Sequence, residues 1–281
     1  MSYNTLIDPE TLNVHLGDPD WIVMDCRFSL SDPEAGRRAY AQSHLPGARY
    51  AHLDEDLSGP ITPAAGRHPL PDPTRLAEKL GAWGIGNDTQ VIAYDDMGGI
   101  LAASRLWWLL RWLGHRACAV LEGGFQAWRQ AGLPLAARPP VIRPLRFEAR
   151  PDDRLWLTAA RVATLAEQEL LVDARGAARY RGEMEPIDPV AGHIPGAVNL
   201  PTEDNLTADG RFRPADEQRE RFLALLDGRP ASAVVHSCGS GVTACHNLLA
   251  MEAAGLNGSR LYAGSWSEWI RDPARPVATG A

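Results

Sequence analysis

The chain has 281 residues, 45% of them hydrophobic and 22% charged, with a formal net charge of −7. That length holds two ordinary domains, each with its own core, and the composition excludes a disordered chain. The acidic balance, with no basic block to neutralise phosphates, excludes nucleic acid as the main partner.

From Met1 to Leu12 the chain is polar and lacks the basic start and apolar run of a secretory signal. Asp8-Pro9 reads as a helix start, an N-cap oxygen followed by a first-turn proline. Trp21-Ile-Val-Met-Asp-Cys-Arg27 is an apolar strand ending in Asp-x-Arg, and His44-Leu-Pro-Gly-Ala48 is a turn. Val91-Ile-Ala-Tyr94 is apolar without alternation, as a buried parallel strand requires. A helix is predicted from Leu101 to Leu113, with Gly114 at its C-cap. Ser104, Arg105 and Arg111 interrupt this apolar stretch, which is too short to span a bilayer, so no membrane association is expected. Its tryptophans, Trp107, Trp108 and Trp112, read as packing.

The same order then begins again. Glu169-Leu-Leu-Val-Asp-Ala-Arg175 repeats the first strand, and His193-Ile-Pro-Gly-Ala197 repeats the turn. Ala233-Val-Val-His236 matches Val91-Ile-Ala-Tyr94, and Leu261-Tyr-Ala-Gly264 matches Leu121-Glu-Gly-Gly124. The separations are all roughly 140 to 150 residues, the mark of a duplicated unit. Thr158 before Ala159 starts a helix in the second copy. Between the copies, Leu133 to Asp153 carries Pro134, Pro139, Pro140, Pro144 and Pro151, an extended connector. The division is therefore 1–135, a linker at 136–153, and 154–281. The fold class is α/β, two tandem domains, each a small parallel sheet with helices on both faces. Sites in such sheets lie where strand C-termini feed into loops.

One loop carries chemistry. Val234-Val-His-Ser delivers Cys238, and Gly239-Ser-Gly-Val-Thr243 leads into a helical run through Met251. The glycines let successive amides curl inward as an anion nest, and the next helix adds its positive end. A thiolate or the terminal sulfur of a persulfide suits that focus. Most free cysteines are inert small hydrophobes, but a core cysteine needs no Gly-x-Gly behind it. Cys26, Cys118 and Cys245 lack the cradle and read as packing. Four scattered cysteines make no disulfide framework, so a reducing cytoplasm is the expected setting.

Cys238-Gly-Ser-Gly-Val-Thr-Ala244 resembles the active-site loop of 3-mercaptopyruvate sulfurtransferases, within the tandem-domain rhodanese family. Both Asp-x-Arg strands, both His-x-Pro-Gly-Ala turns and Gly264-Ser-Trp-Ser-Glu-Trp269 extend the resemblance over nearly the whole chain. It implies sulfur transfer through a Cys238 persulfide to a thiol or cyanide acceptor, such as thioredoxin or a small thiol, without a cofactor or metal. It also implies a first domain without a catalytic cysteine, where Asp95-Asp-Met-Gly-Gly99 takes the loop's place. The implied relay is Ser240, His68 and Asp54, which puts the active site in an interdomain cleft. The implied substrate-binding residues are Arg179, the loop residues Gly239, Gly241, Val242 and Thr243, and Arg181 as a second cation. Arg181 enters because Ile187 stands where the family usually has another arginine, after Glu185-Pro186. Thiosulfate-specific relatives carry two cations in the loop, whereas Gly239 and Ser240 leave it neutral, which favours mercaptopyruvate. The alternatives are a thiosulfate sulfurtransferase, or a non-enzymatic persulfide carrier for a protein partner. Asp173 and Arg175 read as a strand-end ion pair, repeated by Asp25 and Arg27, and Trp266 and Trp269 as packing near the loop.

Two other chemistries fit the loop poorly. A tyrosine phosphatase needs an arginine after five intervening residues, where this chain has Ala244. His236, Cys238, Cys245 and His246 lack the usual spacing of a zinc site.

Overall fold

A computed structural model describes residues 2–281, which divide into two compact units. The first comprises the chain up to Gly59, Pro71–Asp152 and Ala208–Phe212; the second comprises Pro60–Leu70, Asp153–Thr207 and Arg213–Ala281.

The first unit runs β1 (Leu6–Ile7), α1 (Pro9–His15), β2 (Trp21–Asp25), α2 (Ala35–Gln42), β3 (Arg49–Tyr50), α3 (Pro73–Ala82), β4 (Gln90–Tyr94), α4 (Ala102–Trp112), β5 (Cys118–Leu121) and α5 (Gly124–Gln130). The second runs β6 (Trp156–Leu157), α6 (Ala159–Val162), β7 (Leu170–Asp173), α7 (Ala177–Tyr180), β8 (Val198–Asn199), α8 (Ala215–Leu226), β9 (Val234–Ser237), α9 (Ala244–Ala253), β10 (Arg260–Tyr262) and α10 (Ser265–Trp269). The sheet orders are β1-β5-β4-β2-β3 and β6-β10-β9-β7-β8, the same order twice. All pairings are parallel.

Local chemistry accounts for the ends of the elements. Asp8 is extended and accepts the Thr11 amide at 2.7 Å, with Pro9 at the first helical position of α1. Thr158 caps α6 in the same way through the Arg161 amide at 3.3 Å. Helix α4 stops just before Gly114, whose φ of +83° only glycine adopts without strain. Trp107 on α4 is buried and donates its indole N–H to the Asn4 carbonyl at 2.9 Å. Leu12, Val23, Ile92, Leu121 and Trp128 are part of the first core, and Leu171, Val235, Tyr262, Trp266 and Trp269 of the second.

The repeated motifs hold each unit together. Arg27 pairs with Asp25 at 2.6 Å and donates to the Ser43 carbonyl just before His44; Arg175 pairs with Asp173 at 2.7 Å and donates to the Gly192 carbonyl just before His193. His44 Nδ1 lies 2.7 Å from the Tyr40 carbonyl and His193 Nδ1 2.8 Å from the Tyr180 carbonyl, so each ring donates there. Each histidine also bridges a downstream strand-like segment, at Ala136 and Ala278. The proline-rich connector lies on the first unit: the Leu145 amide donates to Gly81 and the Arg150 amide to Leu113, each at 2.9 Å.

Strand register corrects the repeat by one residue. Asp25 pairs with Tyr94 and Asp173 with Ser237, so Tyr94 is equivalent to Ser237 and not to His236. Val120 pairs with Ala93 and Leu261 with His236, so Leu261 matches Val120 and not Leu121. Continuous apolar runs slide past one another in sequence without penalty, while hydrogen-bonded register does not. With the slip removed, Asp95 is the counterpart of Cys238, Gly98 of Gly241, and Gly124 of Ser265.

Candidate active site

Cys238 is the first residue beyond β9 and is buried. The Gly241 amide donates to its Sγ at 3.1 Å, closing the turn around the sulfur. Gly241 has φ +76°, and a Cβ there would overlap the Ala263 carbonyl, so glycine is required twice over. Val242, which is buried, and the partly exposed Thr243, the residue preceding α9, complete the loop and bring the helix N-terminus to it.

The start of α10 clamps this loop. The Trp266 amide donates to the Cys238 carbonyl at 3.0 Å and the Ser267 amide to the Gly239 carbonyl at 2.8 Å. Ser265 Oγ accepts the Cys238 amide at 3.0 Å, donates to the Tyr262 carbonyl at 2.9 Å, and lies 3.9 Å from Sγ. Ser265 sits at φ +52°, a strained conformation for a residue with a side chain. The reading of the sequence did not find it. Its counterpart Gly124 at φ +57° was the signal, hidden by the one-residue slip.

His68 reaches Cys238's loop because Pro60–Leu70, although it belongs to the first half of the sequence, packs as part of the second unit. Its Nδ1 lies 2.7 Å from Ser240 Oγ, and both side chains are buried. Asp54 belongs to the first unit, in the turn after His52, where its amide donates to His52 Nδ1 at 3.2 Å.

Two guanidinium groups stand against Gly239. A Cβ on that residue would lie 3.2 Å from Arg67 Nη2 and 3.7 Å from Arg179 Nη1 and Nη2. The loop is neutral, and the two cations beside it are each paired with a carboxylate. Arg179 donates to Glu185 with Nε at 3.1 Å and Nη2 at 2.7 Å. Arg67 pairs with Asp188 at 2.6 Å, and Arg179 with the same carboxylate at 3.2 Å. Burial pushes the Glu185 carboxyl up, but hydrogen bonds from Arg179 and the Asp188 and Ile187 amides outweigh it, leaving it below the ordinary range. Nothing in the sequence marks Arg67, because the packing of Pro60–Leu70 into the second unit is set by tertiary structure. Arg181 does not join the group. It is turned outward and bound by Glu183 at 2.7 and 2.8 Å. Ile187 is exposed.

Three residues of the zinc alternative have other partners. His236 Nε2 faces Met251 Sδ at 3.2 Å, Cys245 Sγ donates to the Gly241 carbonyl at 3.4 Å, and His246 Nδ1 lies 3.1 Å from Asn205 Nδ2. Burial pushes His236 down to about 3, so it stays neutral. Among the described residues the one metal-like grouping is Glu34, His52 and Glu55 in the first unit. Arg37 occupies both of its carboxylates, at 3.1 and 2.6 Å.

The model of the rhodanese-like domain matches twice, at residues 8–131 and 158–272. The chain belongs to the rhodanese-like sulfurtransferase family. It is 54% identical, over the full length of both chains, to a Pseudomonas aeruginosa protein named a probable 3-mercaptopyruvate sulfurtransferase. It is 35% identical to the thiosulfate sulfurtransferase of Bos taurus, over 90% of this chain and 86% of that one. Among solved structures it resembles 3-mercaptopyruvate sulfurtransferase from Leishmania major, with TM-score 0.85 and 33% identity over 96% of this chain and 76% of that one. No helix among the described residues is long and apolar enough to cross a membrane.

Proposed function

We propose that this sulfurtransferase takes sulfur from 3-mercaptopyruvate onto Cys238 and passes it to a thiol acceptor, a small thiol or a thioredoxin-like protein. The observation that carries this reading is Cys238 Sγ inside its amide turn, beside a Ser240–His68 contact of 2.7 Å. The Cys238 thiolate attacks the donor sulfur, and the carbon–sulfur bond breaks. The electron pair leaves on the enolate of pyruvate, which then takes up a proton. The acceptor thiolate attacks the outer sulfur of the persulfide and frees Cys238.

Mercaptopyruvate brings a thiol proton that must be relayed, and Ser240 with His68 is suited to that work. Arg179 and Arg67 would receive the donor's carboxylate through their edges that face Gly239. The same two guanidiniums favour a second reading, thiosulfate as donor, because they supply cations that the loop itself lacks.

Measuring kcat/KM for both donors on wild type and His68→Ala separates the readings. General acid–base help is worth roughly 10²–10⁴-fold, so the variant should lose about that with mercaptopyruvate and keep most of its thiosulfate rate. A thiosulfate preference with a silent His68→Ala would overturn the mercaptopyruvate assignment in favour of the second reading.

A further inference from the structure

Asp188 lies between the two cations beside the reactive loop. Its Oδ1 accepts Arg67 Nη1 at 2.6 Å and its Oδ2 accepts Arg179 Nη2 at 3.2 Å, with the carboxylate itself buried. Its amide donates to Glu185 Oε1 at 3.1 Å, so Arg179 is held by the second carboxylate of the same turn. Arg175, the remaining nearby cation, is bound by Asp173 and lies 3.4 Å from Glu185. Three guanidiniums therefore face three carboxylates. Each of Arg67 and Arg179 gives one edge to Asp188 and keeps nitrogen near Gly239, Nη2 in the first and Nη1 in the second.

We infer that Asp188 is the specificity-determining residue for donor charge, a resident counter-anion that lowers the field of Arg67 and Arg179 so that a singly charged donor is accepted over a dianion. This rests on the reading that these two arginines receive the donor's anionic group. Coulomb energy is linear in the charge of the incoming group. A fixed negative charge therefore costs a dianion twice the free energy it costs a monoanion, which squares the penalty in rate. The neighbouring Ile187 adds no cation to reverse the effect. Were Asp188 only a brace for the arginines, removing it would weaken every anion alike and would leave the field at the sulfur unchanged.

The test uses the full chain with Asp188→Asn, which keeps the shape and removes the charge. One charge a few ångströms away in a partly exposed site is worth about tenfold for a monoanion and about a hundredfold for a dianion. kcat/KM should rise by about those factors for mercaptopyruvate and thiosulfate, moving the donor ratio about tenfold toward thiosulfate. Independently, the rate of Cys238 alkylation by iodoacetate relative to neutral iodoacetamide, read by mass spectrometry, should rise about tenfold. If Asp188→Asn does not fold, Asp188→Ser removes the same charge with a smaller side chain. An unchanged alkylation ratio, or a higher KM for both donors, overturns the inference. A wild type that turns over neither donor while the alkylation ratio still moves would sink the proposed reaction and leave the role of Asp188 standing.

Discussion

Asp95 and Cys238 leave equivalent strands at the same register, and each begins a turn with a left-handed glycine three residues on, Gly98 and Gly241. In the first unit the Asp95 carboxylate accepts the amides of Met97, Gly99, Leu101 and Ala103 at 2.8–3.4 Å. In the second unit the corresponding position is a thiol that accepts the Gly241 amide. Both loops place a side-chain acceptor at the strand end, facing backbone amides of the turn that follows. One fills the place permanently with its own carboxylate, and the other offers a sulfur that can form and break bonds. The duplication thus kept the turn in both copies and has a cysteine at its start in only one. Gly124 and Ser265 differ in the same sense: the backbone is left-handed at both, but only the second copy spends a side chain there, on the Cys238 amide.

The largest effect should come from the sulfur itself. Cys238→Ser should abolish transfer and remove the mass gain of one sulfur atom after incubation with donor, while Cys26, Cys118 and Cys245 changed singly to Ala should each leave Cys238 able to load. Retained turnover in Cys238→Ser would end the contrast between the copies. Gly241→Ala should come next. A left-handed residue with a Cβ costs about 1–2 kcal/mol, and the overlap with the Ala263 carbonyl must also be relieved, so activity should fall at least about tenfold.

Asp95 should matter for stability and not for chemistry. Asp95→Asn leaves amides that pointed at a carboxylate facing an NH₂ group, a loss of about 1–3 kcal/mol in unfolding free energy. Burial pushes the Asp95 carboxyl up to about 6, with the Met97 and Gly99 amides opposing. Because its pKa in the folded state is raised, its contribution is complete in acid and is lost as pH rises through about 6. The stability gap between wild type and Asp95→Asn, from urea unfolding at pH 4.5 and pH 7 (about one pH unit or more either side of that value), should therefore narrow toward neutrality; a gap that widens would refute this. The smallest effect belongs to Ser265→Gly. It relieves the strained φ, worth about 1–2 kcal/mol, and removes two hydrogen bonds worth about 1 kcal/mol each, so the terms nearly offset and melting should move little while the rate of Cys238 loading drops several-fold. Unchanged loading would reduce Ser265 to packing.

Much of this was legible in the chain. Asp-x-Arg and His-x-Pro-Gly-Ala recur because each pair ties a strand end to its turn, and local motifs of that kind survive duplication. Cys238 is marked in the sequence by the glycines that follow it, and the left-handed φ of Gly241 is set by short-range sterics that the sequence expresses directly. The strand register was not legible, because apolar β-branched runs carry no marker of which residue faces which; only interstrand hydrogen bonds choose. Nor was the charge around the loop. Arg67 comes from a segment far away in sequence that packs into the second unit, and Asp188 is bound by two arginines that no spacing rule connects. The sequence by itself determined the duplicated fold and the family, and it pointed to Cys238 as the candidate nucleophile. Tertiary structure decided which charges stand beside the Cys238 loop, because electrostatic partners are set by distance in space and a linear order of residues does not contain it.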